Sequence, residues 1–273
     1  MELAVRIASA LVFGPALLAI IWYSNQLGYT AFIAALMALA AGEWAKLAGA
    51  ESLITRLGLA ATVGLITLAL ITLAPTSISQ VLVLLGLACW LVNLSWLAQP
   101  QLLSAPTGSP FTLKIALGCG ILSVAGLSLA RIQEVPLGEG LTIVFFLIIW
   151  SADIGAYAAG RLFGRRKLAP SISPGKSWEG VVGGQVLVVI VVSLLLKYTP
   201  TGLNLGPWLY PLAAVTAAIS VVGDLFISVL KRQRQLKDTG RLLPGHGGVL
   251  DRFDSTIAAA PFFLTGLYWA GRV

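Results

Sequence analysis

The sequence predicts an all-α, polytopic integral membrane protein with about nine transmembrane helices and a cytoplasmic N-terminus. Three observations carry this reading: composition, the recurrence of long apolar segments, and the distribution of charge. The chain has 273 residues, 58% of them hydrophobic and only 11% charged, where soluble domains carry roughly 25% charged residues. A water-soluble fold has no place for so much apolar surface, so the bilayer is part of the solvent. The ten-residue alternating segments of a transmembrane barrel are absent.

Nine segments approach the ~20 apolar residues that a membrane helix needs: 4–23, 28–49, 55–75, 79–98, 112–131, 140–160, 179–197, 208–230 and 255–271. The first is longer than a signal-peptide apolar region and has no small-x-small site after it, so it reads as a retained helix. The second carries Glu43-Trp44 near its end, read as helix-end residues at the interface. The first five spans, residues 1–131, are rich in Ala, Leu and Gly and low in charge, which suits a scaffold. Cys89 and Cys119 are isolated in apolar runs, so no disulfide framework or thiol metal site is indicated.

Charge tests the count. With nine spans, alternate connectors face opposite sides. One side then receives only Arg131, Lys197 and Arg272, and the other receives the remaining fifteen of the eighteen basic residues. Positive residues mark the cytoplasmic side, which places the N-terminus and the two charged connectors, 161–178 and 231–254, in the cytoplasm. The net charge of +7 comes without an aromatic-interleaved basic tail, so a nucleic-acid partner is not expected.

The remaining elements carry the chemistry. Charge inside a span is costly and usually functional. The sixth span ends in WSADIGAYAAGR, with Asp153 and Tyr157 four apart on one face. Its small residues Ala152, Gly155, Ala156 and Gly160 permit close approach of another helix. The connector that follows is basic and turn-rich, and Ser177 is placed to cap the seventh span, with Gly180 three residues on. Helix N-termini attract phosphate, so Lys176 and Ser177 are candidate phosphate contacts. In the eighth span Asp224, Ser228 and Lys231 share a face, and Gly223 removes bulk beside Asp224. Then comes PGHGGVLDRFD, where Pro244 and the glycines force an irregular turn. Gly247 and Gly248 expose N–H groups suited to phosphate oxygens, and His246, between glycines in the same turn, is a candidate for phosphate contact or proton transfer. Asp251 and Asp254 follow at helical spacing, and Asp251 can also cap the ninth helix. If the eighth and ninth spans pack antiparallel, Asp224, Asp251 and Asp254 form a set of hard oxygen ligands for a cation such as Mg²⁺. Lys231, Arg232, Lys237 and Arg252 can hold phosphate. The combination points to phosphoryl or nucleotidyl transfer. No P-loop or HExxH motif is present.

The stretch 228–254 resembles the phosphatidate cytidylyltransferase signature at Ser228, Leu230, Lys231-Arg232, Lys237-Asp238, Gly240, Leu243-Pro244, His246-Gly247-Gly248, Val249 and Asp251-Arg252-Phe253-Asp254. The connector before it is similar to a second region of that family at Gly160-Arg161, Gly164, Lys167-Leu168, Pro170, Ile172-Ser173-Pro174, Lys176-Ser177 and Glu179-Gly180. The resemblance covers roughly residues 140–270, so 132–273 is read as the catalytic region. It implies a nucleotidyltransferase that joins CTP and phosphatidic acid to give CDP-diacylglycerol and pyrophosphate. It further implies a Mg²⁺ requirement, with a monovalent cation such as K⁺ sharing the site, and metal-ligand roles at Asp224 and Asp251. It places Lys231, Arg232, Lys237, Asp238, His246 and Arg252 among the reaction's residues, and Asp153, Tyr157, Lys176, Ser177, Ser228, Gly247 and Gly248 against substrate. The setting it implies is a bacterial inner membrane, with the site facing the cytoplasm. Small-residue faces at Gly14, Gly118 and Gly120 permit a homodimer. A CTP-dependent polyprenol kinase and a transporter of a phosphorylated solute are the competing readings. The first would release CDP, and the second predicts paired broken helices in two similar halves.

Overall fold

The computed structural model describes residues 2–98, 110–199, 205–240, 242 and 247–271. Among these are nine long helices, one for each predicted segment: α1 Glu2–Tyr23, α2 Gln26–Ala48, α3 Leu53–Leu73, α4 Thr76–Ala98, α5 Pro110–Glu134, α6 Gly138–Phe163, α7 Trp178–Tyr198, α8 Leu209–Gln233 and α9 Leu250–Trp269. Seven of them, α2 to α8, are long and apolar enough to cross a membrane, and α1 adds a shorter described apolar stretch, Val12–Tyr23. The 20-residue α9, with Asp251, Arg252 and Asp254 near its start, is not among them.

Burial explains the difference. Only 22% of the apolar window is buried in α3, α4 and α7, whereas α5 reaches 67%. Exposed leucines such as Leu57, Leu65, Leu84 and Leu194 are therefore lipid-facing surface. Nearly every residue of α9 is buried instead. It packs against α8, α5, α4, α2 and α6, so protein rather than lipid surrounds it. Helices from both halves of the chain thus share one core. Phe226 of α8 stacks near Trp44 of α2 and Trp90 of α4, while Phe253 of α9 meets Phe13 of α1 and Phe146 of α6.

Small residues set the closest approaches, as expected where lipid removes the hydrophobic drive between helices. Between α6 and α7, a Cβ on Gly155 would lie 2.6 Å from the Gly183 carbonyl oxygen, and one on Gly184 2.7 Å from the Ala152 carbonyl oxygen. Between α8 and α9, a Cβ on Gly223 would lie 2.4 Å from the Asp254 carbonyl oxygen. The predicted antiparallel pairing of the last two helices follows, with Gly223 beside Asp254 and Lys231 beside Asp251. Gly118 is not a free face, because the Trp44 ring fills the space beside it.

Both ends of the bundle are latched. At one end Arg131 of α5 pairs with Glu134 and donates to the Ala74 carbonyl (2.6 Å) and to Ser79 Oγ (3.3 Å), and Gln26 donates to Glu134 (2.9 Å). At the other end Trp44 Nε1 donates to the Lys114 carbonyl and Lys114 Nζ donates to Gln233 Oε1, both at 2.8 Å. Helix ends that alternation assigns to one side do meet there.

One connector departs from the all-α expectation. Residues 161–178 contain a short antiparallel hairpin, β1 Lys167–Ala169 with β2 Ser173–Ser177, paired Lys167 to Ser177 and Ala169 to Ser173. The prolines that break helix here, Pro170 and Pro174, leave the extended backbone free to pair.

Candidate active site

The two charged connectors meet at one end of the bundle, and local sequence explains how each is held. After α6, Glu179 accepts hydrogen bonds from the Arg165 and Arg166 amides (3.2 Å each), which turns the chain into the hairpin. Ser177 is buried and caps α7, its Oγ accepting from the Gly180 amide at 3.1 Å as its spacing predicts. The preceding residue, Lys176, is thereby presented to α8, where Nζ forms an ion pair with Asp224 Oδ2. Asp224 Oδ1 accepts from Ser228 Oγ at 3.2 Å, one turn on. Arg232 Nε donates to the carbonyl of buried Ile172 at 3.1 Å, a second tie between the connectors.

Asp251 stands at the start of α9 and is almost fully buried. Its Oδ1 accepts from Lys231 Nζ at 2.8 Å. Its Oδ2 accepts from the Thr239 amide at 2.7 Å, from Thr239 Oγ1 at 2.9 Å and from the Gly248 amide at 3.0 Å. Gly247 sits at φ +84°, and a Cβ there would lie 2.6 Å from Asp251 Oδ2. The turn is therefore glycine both for its left-handed backbone and to let the carboxylate in. Asp251 is not the N-cap of α9. Val249 holds that position and offers no side-chain bond.

The cap comes from α2. Glu43 Oε1 accepts from the Val249 amide (3.0 Å) and Oε2 from the Leu250 amide (2.8 Å), so a residue some two hundred positions upstream satisfies the orphan donors of α9. Glu43 Oε2 also accepts from Thr239 Oγ1 at 2.7 Å. α2 ends just beyond, at Gly49 in the left-handed conformation (φ 113°). Beside this contact lies a pocket of about 590 Å³ lined by residues that include Glu43, Lys46, Arg56 and Thr239. The expectation for Glu43 as an interface residue is corrected: it reaches into the cluster.

The other candidates fall as follows. Asp153 is an electrostatic neighbour of Asp224, Lys176 and Arg252, and Asp254 of Asp224, Lys231 and Lys176. Tyr157 is exposed and its hydroxyl accepts from Arg161 of its own helix (3.1 Å). Lys237 and Asp238 are exposed in the loop after α8. His246, with Leu243 and Pro244, lies outside the described residues. Among the described residues no three acidic, His or Cys side chains are grouped to hold a metal ion. Asp251 is committed to its four donors, which leaves Asp224 and Asp254 as the neighbouring carboxylates. That donor set still fits a hard cation that completes its shell with substrate phosphates.

The chemistry such an arrangement offers is the binding and alignment of anions. Lysines alternate with carboxylates from α6, the hairpin, α8 and α9, at an end of the bundle that water and lipid can both reach. Comparison with known proteins agrees. The model of the cytidylyltransferase family matches residues 4–269. A phosphatidate cytidylyltransferase of Pseudomonas aeruginosa is 41% identical over 269 residues, 97% of each chain. Two others, from Haemophilus influenzae (48% over 130 residues, 46% of this chain and 45% of theirs) and Bacillus subtilis (44% over 138 residues, 47% and 49%), match in part.

Proposed function

The chain belongs to the cytidylyltransferase family, and from that premise we propose the reaction and the roles of its residues. It is a phosphatidate cytidylyltransferase, an integral membrane enzyme that transfers CMP from CTP to phosphatidic acid in phospholipid synthesis. The observation that carries the site assignment is the Lys176–Asp224 pair, which joins the hairpin to α8 and brings both charged connectors onto one cluster with Lys231 and Asp251.

The acceptor is a phosphate oxygen of phosphatidic acid. It attacks the α-phosphorus of CTP, a new P–O bond forms, the bond to the β-phosphate oxygen breaks, and pyrophosphate leaves. That nucleophile is already anionic near neutral pH, so the task of the protein is to hold two polyanions together in line. Lys176 and Lys231 turn from their carboxylate partners toward phosphate oxygens when substrate arrives. Arg232, Lys237 and Arg252 supply further charge-assisted contacts. Gly247 and Gly248 let the backbone approach closely. Asp224 and Asp254, with Asp153 and Asp251 nearby, are the residues that would hold Mg²⁺, and a monovalent cation can share that carboxylate set. The bound metal supplies charge neutralisation on the phosphates. Ser177 and Ser228 hold the shape of the site, one as helix cap and one as donor to Asp224. The fifteen basic residues assigned to this side support a site at the cytoplasmic face of the inner membrane.

The test uses purified protein in detergent–lipid micelles with phosphatidic acid, Mg²⁺ and CTP labelled at the α-phosphate. Label enters the lipid and pyrophosphate appears, and Asp224→Asn abolishes both. Release of CDP, or an unlabelled lipid phase, would overturn the assignment.

A further inference from the structure

Glu43 lies outside both charged connectors and outside the half of the chain that carries the signature residues. Its carboxylate nevertheless makes three contacts on a single segment: Thr239 Oγ1 before the glycine-rich turn, and the Val249 and Leu250 amides after it. One rigid group therefore spans the two ends of the turn that delivers Gly247, Gly248 and Asp251. The glycines flanking it are shaped to the same carboxylate. A Cβ on Gly240 would lie 2.3 Å from Glu43 Oε1, and one on Gly248 2.1 Å from Glu43 Oε2. Neither glycine has the left-handed φ that would itself demand glycine, unlike Gly247. They are glycine because Glu43 occupies the space.

Proton counting sharpens the point. Thr239 Oγ1 carries one hydrogen and lies 2.7 Å from Glu43 Oε2 and 2.9 Å from Asp251 Oδ2. It can donate fully to only one carboxylate at a time, so Glu43 and Asp251 compete for one donor. Lys46 of the same helix adds a contact to the Thr239 carbonyl at 3.4 Å. The position of Asp251 is thus set from α2, through Thr239 and the first turn of α9.

We propose that Glu43 is a positioning residue of the cytidylyl transfer: it fixes the register of the 239–250 segment, and with it Asp251, without touching substrate. The proposal rests on the functional reading above. A glutamine cannot replace the carboxylate, because its NH₂ would face the Val249 or the Leu250 amide, donor against donor. Gly240→Ala should likewise be harmful alone, and should add little once Glu43 is shortened to alanine.

The test is amide hydrogen exchange of the full-length protein in lipid nanodiscs, read alongside steady-state kinetics, for wild type, Glu43→Gln, Glu43→Ala, Gly240→Ala and the Glu43→Ala/Gly240→Ala pair. The expected result is faster exchange confined to Thr239, Val249 and Leu250. The α6, α7 and α8 peptides should keep wild-type protection. kcat should fall on the order of 10²-fold, the penalty typical of a reacting group displaced by about an ångström, with little change in KM for the lipid. Unchanged local exchange in Glu43→Gln, or local loosening with wild-type kcat, would overturn the proposal. So would loss of protection throughout the bundle, which marks a general structural role. Absence of cytidylyl transfer in the wild-type protein sinks the functional reading instead, a different result from wild-type-like activity in Glu43→Gln.

Discussion

Two glycines in the charged end of the molecule make opposite predictions. Gly247 is held at φ +84° with Asp251 Oδ2 where a Cβ would be. Gly175, in the hairpin, has nothing within 4 Å of that position. Gly247→Ala therefore costs about 1–2 kcal/mol for its left-handed backbone and also displaces Asp251. Its cytidylyl transfer should drop on the order of 10²-fold, while Gly175→Ala should match wild type in a parallel assay. Equal activities would show that the turn does not need to admit the carboxylate. The sequence made Gly247 legible as a turn residue, since Pro and Gly cluster there, but not as the glycine that Asp251 requires. Thr239 was hidden for a related reason. A threonine between charged residues gives no local sign that its amide and hydroxyl both serve a buried acid.

At the level of elements, the α6–α7 pair is the part most exposed to a single substitution. A methyl group on Gly155 would meet the Gly183 carbonyl, the Leu187 side chain and the Gly184 backbone, all within 3.0 Å. Gly155→Val should force the helices apart at a cost of roughly 1–3 kcal/mol, the usual range for overpacking. It should also lower the thermal midpoint and pull Lys176 away from Asp224. Gly58→Ala on lipid-facing α3, where nothing lies within 4 Å, is the matched control and should leave the midpoint in place. A Gly155→Val midpoint equal to wild type would refute the close packing. The nine helices were legible because each is a long apolar run between polar breaks. Helix ends fell within a few residues of the predicted segments, as with 28–49 against Gln26–Ala48. The β1–β2 hairpin was not legible, since its strands are three and five residues long and lie among charges and prolines. The Glu43 cap was not legible either. Capping rules read a few neighbouring residues, and this cap arrives from another helix.

For the whole molecule, the matter to test is which end faces the cytoplasm. The two latched ends fix the alternation of the helices, and the positive-inside bias orients the set. A cysteine at Gly175, on the Lys176 side, should resist a membrane-impermeant maleimide in intact cells and react after permeabilisation. A cysteine at exposed Leu137, in the connector beside Glu134, should react in intact cells. The reverse pattern would invert the topology and put the cluster on the wrong side for CTP.

The burial of α9 has a consequence for how the protein comes into being. This helix is synthesised after the other eight, yet it fills the centre and carries Asp251, Asp254, Ser255, Thr256 and Thr265 as buried residues. Lipid offers those side chains little. An unfinished chain would therefore sit in the membrane with an open slot along α5 and α8, and α9 would enter that slot rather than the bilayer. The carboxylate of Glu43, made among the first fifty residues, waits there for the amides of Val249 and Leu250. Maturation is then a docking event between the oldest and youngest parts of the chain, and no catalytic cluster exists before it.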